Sequence, residues 1–197
     1  MFACGAISYL LYAIIVLLLI SVFFNLKLKQ TLTQREENES ALIKKAYFNP
    51  LTDLPNQQNL EIMITEQIHR TKRHKKTFVL AVIKILNYHD VALRSKAIAE
   101  EFIIEASARI VESVRTEDIV AHTTENGFVI LCNEYLEDDN SQIIFDRIEN
   151  AFREPLEINS KTSLNFKISI GKAVYPSSGE TGELLIHAAT RQALKTL

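Results

Sequence analysis

The chain has 197 residues, 47% of them apolar, and 22 basic side chains nearly balance 24 acidic ones for a net charge of −2. This suits one domain with a buried core plus an appendage, and it excludes a molecule that binds polyanions over its whole surface. Trp is absent and Gly numbers five, so no Gly-rich phosphate loop is available, while Cys4 and Cys132 lie too far apart to form a disulfide framework and fit a reducing compartment.

The first element is apolar. No charged side chain occurs from Met1 to Leu26, and the run Ala6 to Phe24 is almost wholly hydrophobic. At 1.5 Å per residue it spans about 28 Å, the thickness of a bilayer core. A cleaved signal peptide would need a basic opening and a small-residue cleavage site, whereas this run opens without Lys or Arg and closes on Val22-Phe23-Phe24. Residues 1–26 therefore read as a single-pass transmembrane anchor. Lys27, Lys29 and Arg35 follow the span and nothing basic precedes it, which places the C-terminal bulk in the cytoplasm, under an inner membrane.

Residues 27–47 are polar, lack Gly and Pro, and read as a helical stalk or linker. Leu28, Leu32, Leu42 and Ala46 fall near one seam, interrupted by REENES at 35–40. A coiled-coil homodimer and a solvated linker helix both stand as readings.

Beyond Pro50 the pattern becomes that of an α/β domain. Asn56 to Arg70 carries Leu60, Met63, Ile64 and Ile68 at helical spacing. HRTKRHKK at 69–76 reads as a basic loop, solvated or lying against anionic lipid headgroups. Interleaved aromatics are absent from it and the chain is net acidic, so nucleic acid is not expected as a partner. Thr77 to Leu86 is a buried strand, Ser95 to Val114 an amphipathic helix, and a hairpin follows. Its tip runs from Thr123 to Asn126, with Asn126-Gly127 predicting a type I′ turn. Ser141 to Arg153 reads as a third helix, Ser163 to Pro176 as a strand or hairpin arm, and Glu180 to Leu197 as a last helix. That order suggests a mixed sheet with helices packed on it.

Three stretches in this order resemble one family. FNPLTDLPNQQ (48–58) resembles the DxLTGLxNR opening of GGDEF domains, the diguanylate cyclases. VRTEDIVAHTTENGFVIL (114–131) resembles their R-x-x-D, a five-residue gap, then GGDEF and an apolar strand. ISIGKAVYP (168–176) resembles their SIG strand. The resemblance covers residues 48–197. It implies the nucleotide-cyclase palm, an α+β fold with a central, mostly antiparallel sheet flanked by helices. Enzymes of that family condense two GTP into cyclic di-GMP, each half-site of a dimer holding one GTP and divalent metal.

The resemblance also implies where the site has changed. Mg²⁺ needs carboxylate oxygens. The acidic positions at the end of the first strand fall on Lys84 and Leu86, and Lys84 would bring a positive charge to the metal position. Aligned on Phe128, the signature reads Thr124-Glu125-Asn126-Gly127-Phe128. Its metal-binding carboxylate becomes the amide of Asn126, the next Glu becomes Gly127, and the two glycines become Thr124 and Glu125. Strand alternation would point Glu125 to the other face. The guanine-binding Asn falls near Ala92 and its acidic companion on Glu100. The phosphate-binding Lys falls on Thr196, with Lys195 one residue away. Arg115 and Asp118 keep the spacing of the family's product-inhibition site, where Arg grips cyclic di-GMP. The structural alternative is that Arg115 closes a helix and Asp118 satisfies backbone donors.

No catalytic residue, metal or cofactor is therefore assigned. The reading is a membrane-anchored, catalytically inactive GGDEF-like protein acting as a protein partner or cyclic di-GMP receptor. The alternatives are a diguanylate cyclase making cyclic di-GMP from two GTP, by itself or only as one half of a heterodimer, and a structural membrane adaptor without nucleotide binding.

Overall fold

A computed structural model describes the backbone of residues 2–132, 138–159 and 162–195, with side chains from residue 17 onward except 18–20, 36–37, 40, 138–141, 159 and 162. The chain divides into two units, 1–46 and 47–197. Thr196 and Cys4 lie outside the described side chains.

The first unit is one helix, α1 (Phe2–Tyr47), uninterrupted because no Gly or Pro occurs after Gly5. Leu28, Leu32 and Leu42 are exposed on it. The anchor expected over 1–26 lies mostly on residues whose side chains fall outside the described set. Among the described residues, no helix is long and apolar enough to cross a membrane.

The second unit is built around β1 (Phe78–Ile85). It pairs antiparallel with β3 (Gly127–Cys132) on one edge and with β6 (Ile168–Tyr175) on the other. Adding β2 (Ile119–Thr124) gives the order β2-β3-β1-β6. Every pairing in this sheet is antiparallel, so the mixed sheet suggested by element order is corrected. The reason is a strand missed by periodicity. β4 (Leu156–Asn159) and β5 (Thr162–Leu164) form their own small hairpin, which turns the chain before β6 enters.

Strand alternation divides the core. Val79, Ala81, Ile83 and Ile85 of β1 face one cluster, with α4 (Lys96–Ser113) and α5 (Asp138–Ala151) above them. Phe78, Leu80 and Val82 face the other, under α2 (Gln57–His74) and α6 (Gly182–Lys195). Ser95 caps α4 by accepting from the Ile98 amide at 3.4 Å, and Asn56 caps α2 by accepting from Asn59 at 3.0 Å. A short helix that periodicity did not reveal, α3 (Tyr88–Arg94), joins β1 to α4.

Three contacts fix the layers. Gly171 lets β6 approach α6 so closely that a Cβ there would collide with the Ala189 carbonyl and the Ala193 amide. Ser169 Oγ donates to the Ala193 carbonyl beside it. Arg109 of α4 lies over Phe166 at 4.8 Å, itself stacked 4.1 Å from Phe102, and donates to the carbonyls of Ala151, Glu154 and Pro155.

Gly171→Ala is expected to cost about 1–3 kcal/mol by overpacking, read as a fall in the urea midpoint at unchanged slope. Burial pushes the Cys132 thiol up to about 12. Cys132 is therefore expected to resist alkylation at pH 8 in the native protein and to react once the chain is unfolded.

Candidate functional site

The residues singled out from the sequence converge at the end of the sheet where β1 stops and the β2–β3 hairpin turns. Strand pairing sets Lys84 between Gly127 on one side and Ser169 on the other. Lys84 Nζ donates to Thr124 Oγ1 at 2.9 Å, and a Cβ at Gly127 would stand 2.6 Å from that nitrogen. Lys84, Thr124 and Gly127 thus form one contact across three strand positions. Burial pushes the Lys84 ammonium below the ordinary lysine range.

The hairpin differs from its expected form. Thr123 and Thr124 belong to β2, and the turn is Glu125-Asn126 alone. None of the described glycines has positive φ, and the non-glycine residues that do are Asp53 and Lys75, so the type I′ turn is not formed. The tip is held by tertiary contacts instead. The Ile85 amide donates to the Asn126 carbonyl at 2.8 Å, and Asn126 Nδ2 donates to the Ile85 carbonyl at 3.0 Å. A register shift between His122 and Thr124 accommodates this clasp. Glu125 lies in the turn, so strand alternation does not govern it. Its charge acts with that of Glu100 on Tyr88, whose hydroxyl is pushed up, chiefly by burial and then by those two carboxylates.

The other positions are spent on structure. The Leu86 amide donates to the Lys167 carbonyl at 2.7 Å. Asn87, an Asn that does follow the first strand, binds backbone on both sides: Nδ2 to the Asn165 carbonyl at 2.8 Å and Oδ1 from the Lys167 amide at 3.0 Å. Ala92 is half-buried on α3, and Lys195 is exposed at the end of α6.

Mg²⁺ is a poor match for this donor set. An ammonium, a hydroxyl already bonded to it, and an amide nitrogen committed to a backbone carbonyl supply no anionic oxygen. Among the described residues, no group of three or more His, Cys, Asp or Glu is placed to hold a metal ion.

Arg115 and Asp118 sit elsewhere, in the turn between α4 and β2. The Arg115 amide donates to Asp118 Oδ2 at 3.1 Å, and the Asp118 amide donates back to the Arg115 carbonyl at 3.1 Å. Both line a cleft of ≈ 480 Å³ with Leu54, Met63, Val111 and Ile119.

Sequence reasoning missed His122. It is 3% exposed, stacked 4.6 Å from Phe128, with Nδ1 3.1 Å from Thr52 Oγ1 and its amide donating to the Pro55 carbonyl at 2.9 Å. It fastens the loop 48–55 to the hairpin that carries the site. A lone His in a strand pattern gives no signal of this. Burial pushes its imidazole below the ordinary range, against a smaller upward pull from the backbone of Glu125 and Thr124.

Because the unfolded chain takes up this proton near pH 6.5 and the native state does so only at lower pH, stability is expected to fall as pH drops below about 6.5. The slope attributable to His122 is at most about 1.4 kcal/mol per pH unit. Urea titrations from pH 5 to 8, beside a His122→Gln variant with a flatter profile, check this.

Residues 46–196 match the family of diguanylate cyclase GGDEF domains. The diguanylate cyclase TpbB of Pseudomonas aeruginosa is 21% identical over 155 residues, 78% of this chain. The chain spans only 36% of that relative's length. Among solved structures, the coiled coil and GGDEF domain of DgcB from Caulobacter crescentus, in complex with c-di-GMP, superposes with a TM-score of 0.73 at 13% identity, covering 85% of this chain and 89% of that one. The diguanylate cyclase SiaD of Pseudomonas aeruginosa, in complex with its activator SiaC, gives 0.70 at 20% identity, covering 85% and 64%. With a family match over more than half its length, the antiparallel sheet and the hairpin at its end, this chain belongs to the GGDEF diguanylate cyclase family.

Proposed function

We propose that this chain is a membrane-anchored GGDEF protein that acts by binding, as the partner of another protein or as a cyclic di-GMP receptor, without making cyclic di-GMP itself. The observation that carries the loss of catalysis is the Lys84 ammonium held 2.9 Å from Thr124 Oγ1 over Gly127. Two GTP triphosphates need divalent metal to offset their charge as they react, and the metal needs carboxylates. Here a fixed cation stands where the family would hold the metal and repels one. Asn126 is engaged by Ile85 and is not available to replace the lost carboxylate.

The receptor reading is supported by Arg115 and Asp118. The Asp118 carboxylate accepts from the Arg115 amide and the Arg115 carbonyl from the Asp118 amide, which ties the two residues into one turn, and the adjoining cleft is large enough to admit a base beside Arg115. The DgcB structure contains c-di-GMP and the SiaD structure an activator protein, so both modes of binding have precedent on this fold. Membrane anchorage is supported by the uncharged run from Ala6 to Phe24.

Calorimetric titration of cyclic di-GMP into the full-length chain in detergent is expected to give micromolar binding, weakened at least tenfold in Arg115→Ala. Absence of binding by both would remove the receptor and leave the protein partner. Incubation with GTP and Mg²⁺ is expected to give no cyclic di-GMP, and turnover by this chain alone would overturn the loss of catalysis.

A further inference from the structure

The edge strand β2 leaves part of its backbone unpaired. Along an edge strand, alternate residues turn their N–H and C=O toward the neighbouring strand and away from it. The His122 amide points away, since it donates to the Pro55 carbonyl at 2.9 Å. Two residues earlier, Val120 points away as well, while Ile119 and Ala121 face β3 opposite Leu131 and Val129. The register shift in β2 lies beyond His122 and does not disturb this alternation. Among the described residues, nothing bonds the outward N–H or C=O of Val120. Val120 is only 6% exposed. A donor and acceptor so nearly buried without partners cost free energy that a bound strand would recover. On the opposite edge, two outward amides of β6 are taken: Lys172 donates to Gln192 Oε1 at 2.7 Å and Val174 to Ser178 Oγ at 3.0 Å.

Val120 lines the ≈ 480 Å³ cleft that runs beside β2. The cleft is apolar on both faces of the sheet. Met63 and Ile119 wall it on the α2 side, Val111 and Val114 on the α4 side. Its charged residues are Arg115 and Asp118, of opposite sign, so net charge does not select the occupant. The basic run at 69–76 does not line it. That run is also not the loop expected from sequence, because α2 continues to His74 and closes on Lys75 at φ 50°.

We propose that this cleft takes an extended segment of a partner protein as a fifth strand beside β2, apolar at consecutive positions. The unpaired backbone of Val120 requires a strand, because a docked helix has bonded its own backbone and would leave Val120 without a partner. Apolar walls on both faces require apolar side chains on both sides of the added strand. The loop 48–55 already supplies one bond of such a strand at His122. It stops there because Pro55 has no N–H to return the bond. The proposal rests on the reading that the chain works through a protein partner, and it gives the form of the partner's segment.

The test is amide hydrogen exchange, read by NMR on the nitrogen-15-labelled full chain in detergent micelles. In the free chain the Val120 amide is expected to exchange at least tenfold faster than that of Ala121, which faces Val129. The probe is the peptide acetyl-Lys-Ser-Val-Ile-Val-Ser-Lys-amide, expected to slow exchange at Val120 at least tenfold. The same peptide N-methylated at its three central residues is expected to leave Val120 unchanged, since it has no N–H to give the Val120 carbonyl. Val111→Arg, at an exposed wall position, is expected to raise the peptide concentration required at least fivefold. Unchanged exchange at Ala121 in that variant shows that the sheet is intact.

Equal rates for Val120 and Ala121 in the free chain overturn the proposal, because the edge is then already paired. Protection that rises with protein concentration in the absence of peptide also overturns it and assigns the edge to a second copy. So does equal protection by the N-methylated peptide, which reports apolar contact without a strand. Absence of protection at 5 mM peptide overturns it too. Production of cyclic di-GMP by this chain alone would sink the binding-only reading, while the Val120 exchange rates decide the strand site separately.

Discussion

Everything in the domain depends on β1 being buried on both faces and paired on both edges. Its odd-numbered residues feed the core under α4 and α5, and its even-numbered residues feed the core under α2 and α6. A strand so placed has no face left for polar side chains until it ends. Lys84 is the point where that condition relaxes. It continues the even stripe of Phe78, Leu80 and Val82, but it lies at the rim, where Thr124 can bind its ammonium. The strand that organises the fold therefore also aims the residue that defines the site.

The same strand order places the regions named from the sequence apart from one another. One end of the sheet carries Lys84, Thr124 and the Glu125-Asn126 turn. The opposite end carries the basic terminus of α2 and the β6 turn. Arg115 and Asp118 lie at the junction of α4 and β2, beside the loop 48–55 that His122 fastens to the hairpin. His122 couples the start of the domain to the site hairpin through a buried imidazole. Burying it neutral makes that coupling sensitive to acid.

The chemistry of the site follows from charge rather than shape. Lys84 brings a positive charge to the end of β1, and the Asn126 amide turns toward the Ile85 carbonyl, which an ionised Asp could not satisfy as a donor. The hairpin persists because its bonds to Ile85 are backbone and amide bonds that need no metal.

What the sequence determined by itself was carried by short-range signals. Apolar spacing marked α2, α4 and α5, a β-branched run marked β1, and three motifs in order marked the family. The resemblance implied changes at Lys84, Leu86, Thr124, Glu125, Asn126 and Gly127, each one residue at one place in a motif, and these enter the proposed function. What only the tertiary structure decided involved partners distant in sequence. The Asn126 turn took another form because bonds to Ile85, 41 residues away, outweighed its local preference. The link of His122 to Thr52 spans 70 residues and leaves no periodic trace. Local propensity fixes which segments are helix or strand, whereas long-range register fixes which side chains meet, and function here lies with the second.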